Sequence, residues 1–290
     1  MQYPDSELIL NGDGSVYHLR LRPEQLADTI VTVGDPERVA MVSRHFDAIT
    51  YRVAHREFVT HTGTYSGRAI SVISTGIGTD NIDIVLNELD ALASIDLSQR
   101  IPLSPRARRQ LTFIRIGTSG ALHPDLEVGS ILLSRYAVGL DGLMAYYRDT
   151  AERQVSPLAH QVTDRLQPPL PPYAFGADQR LFDHFLSSDT HAGITATCTG
   201  FYAPQGRQLR LAALTPDWLD RLATIHYDGL RLTNFEMETA GIYALAHLLG
   251  HRALSINLLL ANRATGTFAD NAGQLMEDTI VWALDRLANL

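Results

Sequence analysis

Two hydrophobic periods alternate along the chain. Thr29–Val33 is a β-branched run that breaks at Gly34-Asp35-Pro36, and apolar positions then recur at helical spacing through Val39, Val42 and Phe46. That pattern predicts a strand, a tight turn and a helix. Residues 58–65 and 69–74 read as strands turning at Ser66-Gly67. Thr75-Gly76-Ile77-Gly78-Thr79 is a glycine turn that opens an amphipathic helix with Ile82, Val85, Leu86, Leu89 and Leu92 on one side. Further strands are predicted at residues 112–116, 130–138, 191–199 and 253–260, the first ending in a Gly117-Thr118-Ser119-Gly120 turn. After Asn271 a last helix faces inward with Leu275, Met276, Ile280, Leu284 and Leu287. Strands alternating with helices, joined by turns rich in glycine and hydroxyls, predict an α/β layer protein with its site at the carboxyl ends of the strands. No internal repeat interrupts the pattern, so residues 1–290 read as one domain with an N-terminal lead over residues 1–17. Residues 96–110, basic with two prolines, and residues 148–176, centred on Pro168-Pro169-Leu170-Pro171-Pro172, read as surface excursions.

One stretch joins unlike patterns. Ile242, Leu245, Ala246 and Leu249 recur at helical spacing with Gly250 as a C-cap, so a helix begins near Glu238. Before it, Asn234-Phe235-Glu236-Met237-Glu238 reads as an irregular approach carrying two carboxylates, with no Lys or Arg after Arg231 to neutralise them. Two readings stand side by side. The carboxylates accept hydrogen bonds from a polyol, or they favour the positive end of the helix.

Charge changes the picture more than composition does. The 290 residues are 45% hydrophobic and 19% charged, ordinary for a globular protein, but the net charge of -8 argues against general nucleic-acid binding. An anionic ligand must then meet a local cluster of arginines. Arg38, Arg56 and Arg115 each sit beside a glycine turn, where backbone N–H groups and guanidinium suit an oxyanion such as phosphate. The first twenty residues hold no apolar signal core, and no apolar run reaches membrane-spanning length, which predicts a cytoplasmic protein without membrane association. The single cysteine, Cys198, lies in an apolar-alternating run and reads as a buried small residue.

Familiar motifs fail on inspection. There is no Gly-Lys-Ser/Thr, Gly76-Ile77-Gly78-Thr79-Asp80-Asn81 lacks the third glycine of a dinucleotide fingerprint, and Ala121 stands where a serine-hydrolase elbow needs glycine. His247 and His251 have i, i+4 spacing but no glutamate between them, so a helix C-terminus explains them better than zinc. Phe201-Tyr202-Ala203-Pro204-Gln205-Gly206-Arg207 offers an aromatic, an amide and a guanidinium to a flat polar heterocycle, and it also reads as a polar surface loop.

Taken in order, these pieces resemble the nucleoside phosphorylase I family, and within it the uridine phosphorylases. The match includes His18-Leu19, Gly34-Asp35-Pro36-Glu37-Arg38, His55-Arg56-Glu57-Phe58, Arg115-Ile116-Gly117-Thr118-Ser119-Gly120, Leu140-Asp141-Gly142, Phe201, Gln205, Arg207, Asn234-Phe235-Glu236-Met237-Glu238 and Asn262-Arg263. The resemblance implies an α/β/α sandwich around a central mixed, partly barrel-like sheet. It implies phosphate held by Gly34, Arg38, Arg115 and Thr118, with Arg56 lent by a neighbouring subunit. Glu236, Met237 and Glu238 would line the ribose, and His18 would reach it from that same neighbour. Phe201, Gln205 and Arg207 would hold the pyrimidine between Phe235, Leu260 and Ala261. Purine-specific relatives place an aspartate where Asn262-Arg263 stand. Arg207, Gln205, Arg115 and Glu238 would carry catalysis, with no metal or organic cofactor and phosphate as co-substrate. The implied assembly is at least a homodimer, with an intersubunit cation site near Glu57 and Ile77 left open by Asn81. Phosphorolysis of uridine is the leading expectation; purine phosphorolysis or a nucleosidase on the same fold, and a non-catalytic nucleoside-binding module, are the alternatives.

Overall fold

The computed structural model describes residues 2–148 and 154–290. Its strands are β1 (Thr29–Val33), β2 (Ala48–His55), β3 (Phe58–Tyr65), β4 (Arg68–Ser74), β5 (Ile95–Asp96), β6 (Ile101–Pro102), β7 (Thr112–Ala121), β8 (Ile131–Gly139), β9 (Tyr173–Gly176), β10 (Thr190–Thr197), β11 (His226–Tyr227), β12 (Leu230–Glu236), β13 (Arg252–Asn262) and β14 (Thr267–Phe268). The helices are α1 (Pro36–Ser43), α2 (Thr79–Ser94), α3 (Ser156–Leu166), α4 (Gln179–Phe185), α5 (Trp218–Ala223), α6 (Thr239–Leu249) and α7 (Ala272–Ala288).

Apart from the β5–β6 hairpin, the strands form one mixed sheet that is half open and half closed. β12, β10, β8, β13 and β7 lie side by side, and β12 pairs back to β7 through Asn234↔Ala121 and Phe235↔Gly120, closing a five-stranded barrel. From β7 the open wing continues through β1, β4, β3 and β2. β1 pairs in parallel with β4 and β7, so their carboxyl ends emerge at one edge. Helices cover the sheet in groups, α1 against α7, α2 against α6 and α3 against α5. α2 buries the stripe Ile82, Val85, Leu86, Leu89 and Leu92, whereas α6 is buried from Thr239 to Ala246 and ends at Gly250 with φ 82°. A helix apolar all round belongs between layers. No helix among the described residues is long and apolar enough to cross a membrane.

Three expectations need correction. Gly117-Thr118-Ser119-Gly120 is not a turn: β7 runs through it to Ala121, paired throughout with β13. The approach to α6 is not irregular: residues through Glu236 form β12, parallel to β10. Residues 148–176 are more than a surface excursion. In their described part Leu158, Ala159, Val162 and Leu166 of α3 join Trp218, Leu222 and Phe235 in a buried cluster, and β9 pairs with β8. Residues 149–153 of that stretch lie outside the described residues. Residues 96–110 clamp the N-terminal lead, since Arg100 donates to the Leu8 carbonyl and its own carbonyl accepts from the Tyr3 N–H.

Candidate active site

Where β1, β4, β7, β12 and β13 end, they surround a cavity of about 770 Å³. Its first end is cationic. Gly34-Asp35-Pro36 leads β1 into α1, Gly76-Ile77 leads β4 toward α2, and Glu238 caps α6, so three helix N-termini converge on one place. Aligned peptide dipoles make each of them weakly positive. Arg38 and Arg115 line the same end with Thr118. Burial, then the neighbouring Arg115, press the Arg38 guanidinium below its usual pKa, with Asp35 and Glu238 opposing.

The middle of the cavity is a buried ion cluster. Arg115 Nη2 donates to Glu238 Oε2 at 2.5 Å and lies 3.0 Å from Glu236 Oε2. The two carboxylates that looked unpaired in sequence therefore share one guanidinium. Burial works against the charge of Arg115, but Glu236 and Glu238 outweigh it and raise its pKa. Glu238 is raised too, because burial and the like charge of Glu236 exceed what Arg115 returns. The guanidinium gains from two buried anions, whereas Glu238 is dominated by its own burial and has only part of one cation to offset it. Gly117 makes this possible, since a Cβ there would stand 1.8 Å from Arg115 Nη1.

The two glutamates differ in their remaining partners. Glu236 accepts from the Glu238 and Thr239 backbone N–H groups, both at 2.9 Å, and from Thr197 Oγ1 at 2.7 Å. It satisfies the start of α6 in the manner of a helix cap. Glu238 accepts from the Gly78 N–H at 2.8 Å, which ties α6 to α2 across the cavity. Met237 lines the cavity between them.

The far end pairs an amide with two arginines that meet no carboxylate among the described residues. Arg207 Nη1 donates to Gln205 Oε1 at 2.6 Å and to the Phe201 carbonyl at 2.8 Å, and its Cζ lies 3.7 Å from the Phe201 ring centroid. One face of Phe201 is thus covered by Arg207. Arg263 donates to the Gln205 carbonyl at 3.0 Å and approaches the Phe235 ring. Burial first, and for Arg207 the nearby Arg263 next, lower both guanidinium pKa values. Phe235, Leu260 and Ala261 supply the apolar wall.

All the candidate residues except His18 and Arg56 line this one cavity. Within the protomer His18 Nδ1 is 2.6 Å from Glu88 Oε1, and Arg56 is exposed at the tip of the β2–β3 hairpin with φ 55°. Asn262 faces elsewhere: it donates to the His123 and Leu126 carbonyls and accepts from the Ala264 and Thr265 N–H groups. Asn81 donates to Glu57 Oε1 at 3.4 Å. Ser119 and Phe268, neither of them a predicted site residue, also line the cavity. Ser119 follows Thr118 and could have been found from that neighbour, whereas Phe268 arrives on β14, whose pairing with β13 leaves no local signal.

The fold and cavity define a layered α/β protein that grades one pocket from a cationic end, through paired carboxylates, to an amide–guanidinium end. The chain belongs to the phosphorylase superfamily, whose sequence profile matches residues 28–290. It is 35% identical over 259 residues to the uridine phosphorylase of Thermococcus kodakarensis, covering 88% of this chain and 80% of that one. A DeoD-type purine nucleoside phosphorylase of Listeria welshimeri is 25% identical over 272 residues, covering 92% and 97%. Among solved structures, a Trypanosoma brucei nucleoside phosphorylase, described as showing uridine phosphorylase activity, superimposes with a TM-score of 0.89 at 28% identity, covering 98% and 100%.

Proposed function

We propose that this protein is a uridine phosphorylase, converting uridine and inorganic phosphate reversibly to uracil and ribose 1-phosphate. The observation that carries the reading is the order of groups along one cavity: Arg38, Arg115 and Thr118, then Glu236, Met237 and Glu238, then Gln205 and Arg207. A nucleoside laid along it with phosphate beneath the sugar meets a complementary group at each step.

Breaking the N-glycosidic bond leaves positive charge on the sugar and negative charge on the departing base. Phosphate held by Gly34, Arg38, Arg115 and Thr118 serves as nucleophile and as counter-charge. Glu238 accepts from the ribose hydroxyls and orients the sugar, which is a positioning task rather than proton transfer. Gln205 and Arg207 stabilise the leaving uracil anion as preorganised donors. Among the described residues Arg207 and Arg263 pair with no carboxylate, so developing negative charge is what that end of the cavity favours. Phosphate is a co-substrate, and no metal or organic cofactor takes part. A cytoplasmic location belongs to the same reading, as does a homodimer in which His18 and Arg56 complete the partner's site.

The test is uracil release from uridine followed by absorbance, with and without phosphate, beside an inosine control. Strict phosphate dependence is expected. Equal release without phosphate marks a nucleosidase, and faster inosine turnover marks a purine phosphorylase.

A further inference from the structure

The five barrel strands contribute six polar side chains, two of them from β7, to a single hydrogen-bonded line. Arg115 of β7 donates from Nη1 to Asn257 Oδ1 on β13 at 3.1 Å, and Asn257 Nδ2 donates to Ser134 Oγ on β8 at 2.9 Å. Ser134 Oγ lies 2.5 Å from Thr195 Oγ1 on β10, Thr195 donates to Asn234 Oδ1 on β12 at 2.8 Å, and Asn234 Nδ2 donates to Ser119 Oγ, back on β7, at 2.9 Å. The four intermediate residues are each 0% exposed, and both ends of the line reach the active cavity. The single hydroxyl proton of Thr195 goes to Asn234, so Ser134 donates to Thr195 and every bond runs the same way, from Arg115 to Ser119. A small barrel is ordinarily filled by apolar side chains, and a buried polar line is tolerable only when each member is satisfied.

The direction of the line fixes how Asn257 faces. Its amide nitrogen donates to Ser134 Oγ and also lies 3.2 Å from Ser255 Oγ, which leaves the oxygen for the guanidinium. Glu236 and Glu238 meet Arg115 only through Nη2. A guanidinium anchored at one nitrogen can swing about that contact. Anchored at two nitrogens, its plane is set.

We infer that Asn257 is a positioning residue for Arg115, holding the guanidinium in the plane that serves Glu238 and phosphate together. The inference rests on the proposed phosphate role of Arg115. It predicts a separation of two affinities that a merely structural residue would move together. Calorimetry on Asn257→Leu, which keeps the bulk and removes the acceptor, should find phosphate binding weaker on the order of 10- to 100-fold. Uracil binding at the far end should stay within about twofold of wild type. Ser134→Ala, which frees the amide of Asn257 to rotate, should weaken phosphate by a smaller factor in the same direction, and it decides the matter alone if the leucine variant does not fold. Phosphate affinity equal to wild type, or uracil affinity falling in step with phosphate, overturns the inference while leaving the phosphorylase reading intact. Wild-type protein that binds uracil but not phosphate overturns that reading and the inference with it.

Discussion

At the scale of single residues, the two glutamates separate structure from chemistry. Glu236 spends its oxygens on Thr197, Thr239 and the Glu238 N–H, so the helix-start reading belongs to it. Glu238 spends its own on Arg115 and Gly78, and in the proposed reaction it is the group that meets the sugar. Its raised pKa has a consequence for activity. On falling pH the carboxyl protonates earlier than an ordinary glutamate, loses its ion pair with Arg115 and becomes a weaker acceptor for the ribose hydroxyls. The acid limb of kcat/KM for uridine should therefore lie above the ordinary carboxylate range, and in Glu238→Gln it should vanish onto a lower, flat plateau. A limb unmoved in that variant assigns the titration elsewhere. At the far end, Gln205→Ala should reduce kcat by roughly 10²–10³, with phosphate affinity, read by calorimetry, unchanged. The residue types were legible in sequence because Arg38 and Arg115 stand beside glycines in an acidic chain and Glu236 and Glu238 stand close together with no basic residue beside them. What was illegible was the ion cluster itself, since Arg115 reaches both glutamates only through the β7–β12 closure.

At the scale of elements, β7 shows why local patterns mislead. Glycine inside a strand resembles a turn in sequence, but Gly117 is there because a guanidinium lies across it. Gly117→Ala places a Cβ 1.8 Å from Arg115 Nη1 and should push the guanidinium aside, and a misplacement of even about 1 Å costs on the order of 10²-fold in rate. Steady-state kinetics with varied phosphate measures it. Because only the Arg115 end is disturbed, uracil binding should survive, and its loss would point instead to a β7 that no longer pairs. The amphipathic helices were legible because their apolar positions repeat every turn, as in α2. β2 carries a period-two signal that went unread, Ile49, Tyr51 and Val53 alternating with Thr50, Arg52 and Ala54. α3 carries a helical signal as well, Leu158, Val162 and Leu166 recurring on the face that packs against α5 and Phe235, but the proline-rich run that follows it made the stretch read as surface.

At the scale of the whole molecule, the closed barrel fixes most of the site within one protomer and leaves two candidate residues outside it. His18 is held by Glu88, and Arg56 stands exposed in a left-handed conformation at a hairpin tip, its guanidinium carbon 5.9 Å from the Tyr17 ring centroid. A non-glycine residue in that conformation is mildly strained, and such strain concentrates where a side chain must be presented. If Arg56 serves the partner's phosphate, a defect in Arg56 and a defect in Gln205 fall in different sites when the two variants share a dimer. One site then carries both defects and the other carries none. Subunits of Arg56→Ala and Gln205→Ala, each nearly inactive alone, should on mixing at equal amounts form hybrids in half the dimers and restore about a quarter of wild-type sites. If Arg56 instead acts within its own protomer, every hybrid site carries one defect and mixing restores nothing. Co-expression with two affinity tags isolates the hybrid, whose turnover per dimer is then half of wild type in the first case and near background in the second.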